Sequence, residues 1–78
     1  MIIKILGGGC ATCNKLEATV KRIASENEIE AIFQKVTDYQ EMMRYGIMAT
    51  PALVINETVK SSGSIPKDEQ ILQWLKEN

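Results

Sequence analysis

Apolar positions recur along the chain with two different periods, and the change of period marks the elements. Ile2, Ile3, Ile5 and Leu6 make a nearly continuous apolar run, broken by Lys4. Such a run reads as a β-branched strand within residues 1–6, covered on both faces as in a parallel or mixed sheet. Gly7, Gly8 and Gly9 end it and allow a sharp backbone path. The spacing then lengthens. Cys13, Leu16, Val20, Ile23 and Ala24 fall three or four positions apart, which predicts a helix over about residues 11–25 with one buried stripe. Asn14, Lys15, Glu17, Lys21 and Arg22 take its other faces, with Glu17 and Lys21 as an i,i+4 pair. Asn27 and its neighbours stop this helix. A second strand is expected over about residues 29–36, carrying Ile32, Phe33 and Val36.

Thr37 or Asp38 then serves as an N-cap, with Glu41 completing a capping box after Asp38. The short helix that follows runs to Tyr45, has Gly46 as its C-cap, and takes Tyr39, Met42 and Met43 as its inner side. Pro51 cannot donate to a ladder, so it stands at the start of the apolar strand Ala52-Leu53-Val54-Ile55. Asn56-Glu57 is a two-residue turn, and residues 58–62 return as the second arm of a hairpin. After a Ser/Gly loop, Pro66 opens the last helix at a first-turn position, near Asp68 and Glu69. Ile71, Leu72, Trp74 and Leu75 supply that helix's apolar face. The order is β-α-β-α-β-β-α. Its opening βαβ unit implies a right-handed parallel crossover, and its hairpin adds antiparallel strands. The fold class is α/β, with a four-stranded mixed sheet flanked by three helices.

Composition changes this picture little. Seventy-eight residues make one domain, 1–78. Nine Lys plus Arg against ten Asp plus Glu give a net charge of −1, which offers no electrostatic case for nucleic acid or an anionic membrane. No apolar run approaches the roughly 20 residues needed to span a bilayer, and residues 1–6 are too short for a signal-peptide core. A cytoplasmic protein is expected.

The candidate chemistry lies in Gly9-Cys10-Ala11-Thr12-Cys13, which holds both cysteines of the chain. A loop this short constrains the unfolded chain weakly, so a structural staple is not the purpose. At a strand-to-helix turn, unpaired peptide N–H groups and the helix dipole favour a thiolate. Cys10 is therefore read as the nucleophile and Cys13 as the resolving partner. A soft-metal carrier of the copper type is the alternative, since two thiolates suit Cu(I). Such domains run β-α-β-β-α-β and place a methionine where Gly8 stands here. Tetrahedral zinc would need two further ligands, and the chain has no other Cys and no His.

Several segments together carry a resemblance: Gly9-Cys10-Ala11-Thr12-Cys13-Asn14-Lys15-Leu16, Lys35-Val36-Thr37-Asp38, Tyr45-Gly46-Ile47-Met48-Ala49-Thr50-Pro51-Ala52-Leu53-Val54, and Ser62-Gly63. With the element order, they make the chain resemble the minimal thioredoxin family, small thioredoxin-like proteins also called redox-active disulfide proteins. The resemblance implies a minimal thioredoxin fold and a cis Pro51 beside a Cys10–Cys13 disulfide. It also implies a docking surface from Gly8, Met48, Ala49, Thr50 and Gly63. The activity implied is reduction of protein disulfides by thiol–disulfide exchange. No cofactor is expected beyond the redox-active disulfide itself. Expected partners are disulfide-containing protein substrates and a flavin-dependent disulfide reductase acting on a monomer.

Departures from larger thioredoxins bear on the mechanism. Those carry an extra N-terminal strand and helix, and a buried acid six residues before the first cysteine; here that position is Lys4. An inward Lys4 would help hold a thiolate, whereas an outward one would be a solvated charge. The Gly-Gly-x-Asp stretch of glutathione-using relatives is replaced by Ser62-Gly63-Ser64.

Overall fold

The computed structural model describes residues 1–7, 11–47 and 49–77 of the 78-residue chain. The elements are β1 (Ile2–Leu6), α1 (Ala11–Glu26), β2 (Ile32–Val36), α2 (Tyr39–Arg44), β3 (Ala52–Ile55), β4 (Thr58–Ser62) and α3 (Asp68–Glu77). The sheet order is β2-β1-β3-β4. β1 runs parallel to β2, with Ile2 opposite Ile32 and Leu6 opposite Val36. It runs antiparallel to β3, with Leu6 opposite Ala52, and β3 pairs antiparallel with β4. The four-stranded mixed sheet with three helices is thus the one that the hydrophobic pattern predicts.

Alternation along β1 and β3 sends side chains to two faces. Ile3, Ile5, Leu53 and Ile55 meet Leu16, Val20, Ile23 and Ala24 of α1 and Ile71 and Leu75 of α3 in the larger core. Leu6, Ala52 and Val54 turn the other way and meet Met42 and Ile47, with Val36 and Tyr45 alongside. The apolar stripe read for α1 is the set of residues it buries. Arg22 ties α1 to α3 on the outside, with one guanidinium nitrogen 2.8 Å from Glu26 and the other 2.6 Å from Asp68.

Both of the first two helices stop by the same hydrogen-bond arrangement. At the end of α1 the Ile29 N–H donates to the Ala24 carbonyl at 2.8 Å, and the Glu28 N–H to that of Ser25 at 3.2 Å. At the end of α2 the Ile47 N–H donates to Met42 at 3.2 Å and the Gly46 N–H to Met43 at 3.0 Å. These are Schellman stops, which need a left-handed residue just beyond the C-cap. Gly46 has φ +70 and Glu28 has φ +54.

Four details differ from the sequence reading. β2 begins at Ile32, not near residue 29, because Ile29 is consumed in the stop of α1. Asp38 caps α2 through the Gln40 N–H at 2.9 Å, while Glu41 turns to Arg44 at 2.9 Å, so the capping box does not form. Met42 alone faces inward from α2; Tyr39 and Met43 are 71% and 60% exposed. Pro66 precedes α3 instead of lying in its first turn, since the first helical bond runs from the Ile71 N–H to the Lys67 carbonyl.

Candidate functional site

α1 begins at Ala11, the residue after Cys10, and has no acidic side chain in its first turn. Its N-terminal end, which follows Cys10 in the chain, therefore carries peptide N–H groups and the positive end of the helix dipole with no acidic side chain in that turn. Cys13 falls on the buried stripe of the helix and is 0% exposed. It is disulfide-bonded. Cys10, Gly8 and Met48, three of the residues singled out in the sequence, lie outside the described residues.

Gly7, at the end of β1, is the floor against which Cys13 packs. Its N–H donates to the Val36 carbonyl at 2.9 Å, extending the β1–β2 ladder by one bond. A Cβ at Gly7 would overlap the Cys13 Sγ and stand 3.2 Å from the Cys13 Cβ and 3.7 Å from the Thr50 Cβ. Gly7 is thus the point where the cysteine helix and the Thr50-Pro51 segment converge. The sequence offered three adjacent glycines there, and nothing in the pattern says which one backs the sulfur.

The Thr50–Pro51 peptide bond is cis. Pro51 is buried at the start of β3, while Ala49 and Thr50 before it are exposed. Gly63, after β4, completes the rim: its N–H donates to the Pro51 carbonyl at 2.8 Å. A Cβ on Gly63 would come within 3.1 Å of the Ala49 Cβ, and its φ is +81. The structure therefore groups Gly7, Cys13, Ala49, Thr50, Pro51 and Gly63 at one end of the sheet. Cys13 and Pro51 are buried; Ala49, Thr50 and Gly63 line an open edge.

Two lysines flank this end differently. Lys35, at the end of β2, donates to the Asn14 Oδ1 at 2.8 Å and so places an ammonium beside the first turns of α1. Lys4 lies on the α2 side of β1, opposite Val54. Its Nζ donates to the Tyr45 Oη at 2.7 Å and stands 3.0 Å from the Glu57 Oε1. The Tyr45 hydroxyl donates to the Glu57 Oε2 at 2.7 Å. These hydrogen bonds, first Tyr45 and then Glu57, raise the Lys4 pKa above its ordinary value. The bond from Tyr45, and then that from Lys4, holds the Glu57 carboxyl below its usual range. Lys4 is neither a solvated charge nor aimed at the sulfur; its ammonium is committed to Tyr45 and Glu57.

Among the described residues no group of three or more His, Cys, Asp or Glu is arranged to hold a metal ion. No described helix is long and apolar enough to cross a membrane. The presence of α2 between β2 and β3 also gives an element order different from that of the small metal-carrying domains.

Comparison with known proteins agrees with this arrangement. The germline-specific thioredoxin Deadhead of Drosophila melanogaster superposes with a TM-score of 0.64 at 18% identity, over 97% of this chain and 78% of that one. That likeness establishes the fold. A thioredoxin of Methanocaldococcus jannaschii is 34% identical over 76 residues, covering 97% of this chain and 87% of the relative. A thioredoxin of Methanothermobacter thermautotrophicus is 32% identical over 75 residues, covering 96% and 97%. The profile of the family described as Thioredoxin domain matches residues 1–76. By sequence over almost its whole length, as by fold, the chain belongs to the thioredoxin domain family.

Proposed function

We propose that the protein reduces disulfides of other proteins through its Cys10-x-x-Cys13 dithiol. The Cys10 thiolate attacks one sulfur of a substrate disulfide, forming a mixed disulfide and releasing the other substrate sulfur as a thiolate that takes up a proton. Cys13 then loses its proton and attacks Cys10. The substrate leaves fully reduced, and Cys10 and Cys13 end as an intramolecular disulfide. The pair of electrons has moved from the dithiol to the substrate. A flavin-dependent disulfide reductase restores the dithiol, and the cytoplasm, where thiols are kept reduced, suits that direction of flow.

The observation that carries the reading is the convergence of Cys13 and Thr50 on Gly7. It sets the exposed Ala49-Thr50 segment beside Cys13, where a substrate chain can pair with the Thr50 backbone as an added strand. Family membership supports thiol–disulfide exchange in general. The assignment of Cys10 as nucleophile follows from its place before the first residue of α1, where a thiolate is favoured.

Single cysteine variants test it. Cys10→Ala abolishes reduction of a test protein disulfide, and Cys13→Ala accumulates a covalent mixed disulfide visible by mass spectrometry under non-reducing conditions. Normal turnover by both variants refutes the mechanism. Tight Cu(I) binding by the wild-type protein, without turnover, would favour the carrier instead.

A further inference from the structure

We infer that Lys4, Tyr45 and Glu57 form a clamp that positions Gly46 and Ile47, and through them the Ala49-Thr50 edge offered to a substrate chain. The role in substrate binding rests on the oxidoreductase reading; the mechanical part of the inference does not. Tyr45 is the C-cap residue of α2, and its backbone N–H is shared between the Met42 and Met43 carbonyls. Its hydroxyl accepts from Lys4 at 2.7 Å and donates to Glu57 at 2.7 Å. Lys4 belongs to the central strand β1 and Glu57 to the β3–β4 turn, so one hydroxyl ties three elements together.

The far end of the same segment is fixed separately. Pro51 accepts from the Gly63 N–H, and Ala52 enters the sheet opposite Leu6. Ala49 and Thr50 stand exposed between the two anchors. α2 is a weak anchor by itself, since it is six residues long and buries one side chain, Met42. The clamp supplies the attachment that so short a helix lacks. Glu57 is 65% exposed, so the ion pair adds little to overall stability and acts on placement. None of the three takes part in bond making; they are positioning residues.

The direct test is Tyr45→Phe, which keeps the ring and removes the hydroxyl. Hydrogen exchange reads the amides of Gly46 and Ile47, with Gly63, at the separately fixed far end, and Ile29, which closes the equivalent stop of α1, as internal controls. Loss of a charge-assisted hydrogen bond should speed exchange at those two amides about tenfold and leave Gly63 and Ile29 unchanged. The KM for a synthetic peptide disulfide long enough to lie along Thr50 should rise about fivefold, while kcat and the rate with hydroxyethyl disulfide stay the same. Glu57→Gln should shift the same amides and the same KM, by less. Equal acceleration at all four amides, or none in either variant, overturns the clamp. If the wild-type protein turns over neither disulfide, the oxidoreductase reading fails, and the exchange pattern still decides the clamp.

Discussion

The two faces of the sheet are built differently. On one, Ile3, Ile5, Leu53 and Ile55 lie under two helices of 16 and 10 residues, and every buried member of that core is 3% exposed or less. On the other, Leu6, Ala52 and Val54 are covered by Met42 of a six-residue helix and by Ile47 just beyond its end, each 7% exposed. That thinner layer is extended by the polar contact of Lys4, Tyr45 and Glu57. The thick face supports the fold. The thin face carries the chain from α2 to Thr50–Pro51, and therefore the edge of the site. Damage to the first should unfold the molecule, whereas damage to the second should first disturb the site.

The largest test sets one truncation on each face against the other. Leu53→Ala empties a fully buried position between β1 and β4, under α1 and α3. It should cost about 3–5 kcal/mol, while Met42→Ala on the thin face should fall near 2 kcal/mol, the low end for such changes, because a partly covered site collapses more easily. Urea unfolding of both variants measures the difference. Equal losses would mean that the two faces contribute alike.

A smaller effect is expected where the faces meet the site. In Gly7→Ala the added methyl overlaps the Cys13 sulfur, with the Cys13 Cβ 3.2 Å away. Cys13 sits on the helix of the thick face and cannot retreat without moving α1. The cost should be about 1–3 kcal/mol, as for overpacking in a core. The reduction potential should shift as well, which a glutathione titration reads. A potential unchanged from wild type would mean that Gly7 does not touch the working sulfur.

Much of the thick face was legible because a 16-residue helix repeats its pattern over four turns, enough for Cys13, Leu16, Val20, Ile23 and Ala24 to stand out. The thin face was less legible for the same reason. α2 makes fewer than two turns, so Tyr39, Met42 and Met43 looked alike, although Met42 alone is buried. Ile29 is apolar for the stop of a helix, and local pattern assigned it to the next strand. At the site, the burial of Cys13 and the cis Thr50–Pro51 bond could be expected because each belongs to a local motif. Gly7 and the Lys4–Glu57 pair could not. Their meaning comes from contacts made across the sheet, and no spacing along the chain announces them.

On the thin face the charges also predict a pH dependence. The folded protein holds the Glu57 carboxyl below its usual range, so its contribution to stability is complete above the ordinary carboxylate value and is lost as pH falls through the lowered one. The raised Lys4 contributes below its ordinary value and loses that contribution as pH rises through the higher one. Between these limits the pair is intact. Midpoints of unfolding measured from neutral pH down to about pH 3 should fall more steeply for wild type than for Glu57→Gln. Parallel curves would remove the pair from the account of this face.

The smallest effect separates the two helix stops, one from each face. They share the same pair of hydrogen bonds and the same left-handed residue, yet α2 uses Gly46 and α1 uses Glu28, at φ +70 and +54. A side chain at such a φ costs about 1–2 kcal/mol, and glycine avoids it at the expense of a more flexible unfolded chain. Glu28→Gly should therefore stabilise the protein by a net of about 0.5–1 kcal/mol. Gly46→Ala should destabilise it by about 1 kcal/mol, as a backbone cost alone, since a Cβ there meets nothing within 4 Å. Opposite shifts in the unfolding midpoint would show that both stops obey one conformational rule. A loss on Glu28→Gly would show instead that the Glu28 side chain stabilises the end of α1 by more than its backbone strain costs.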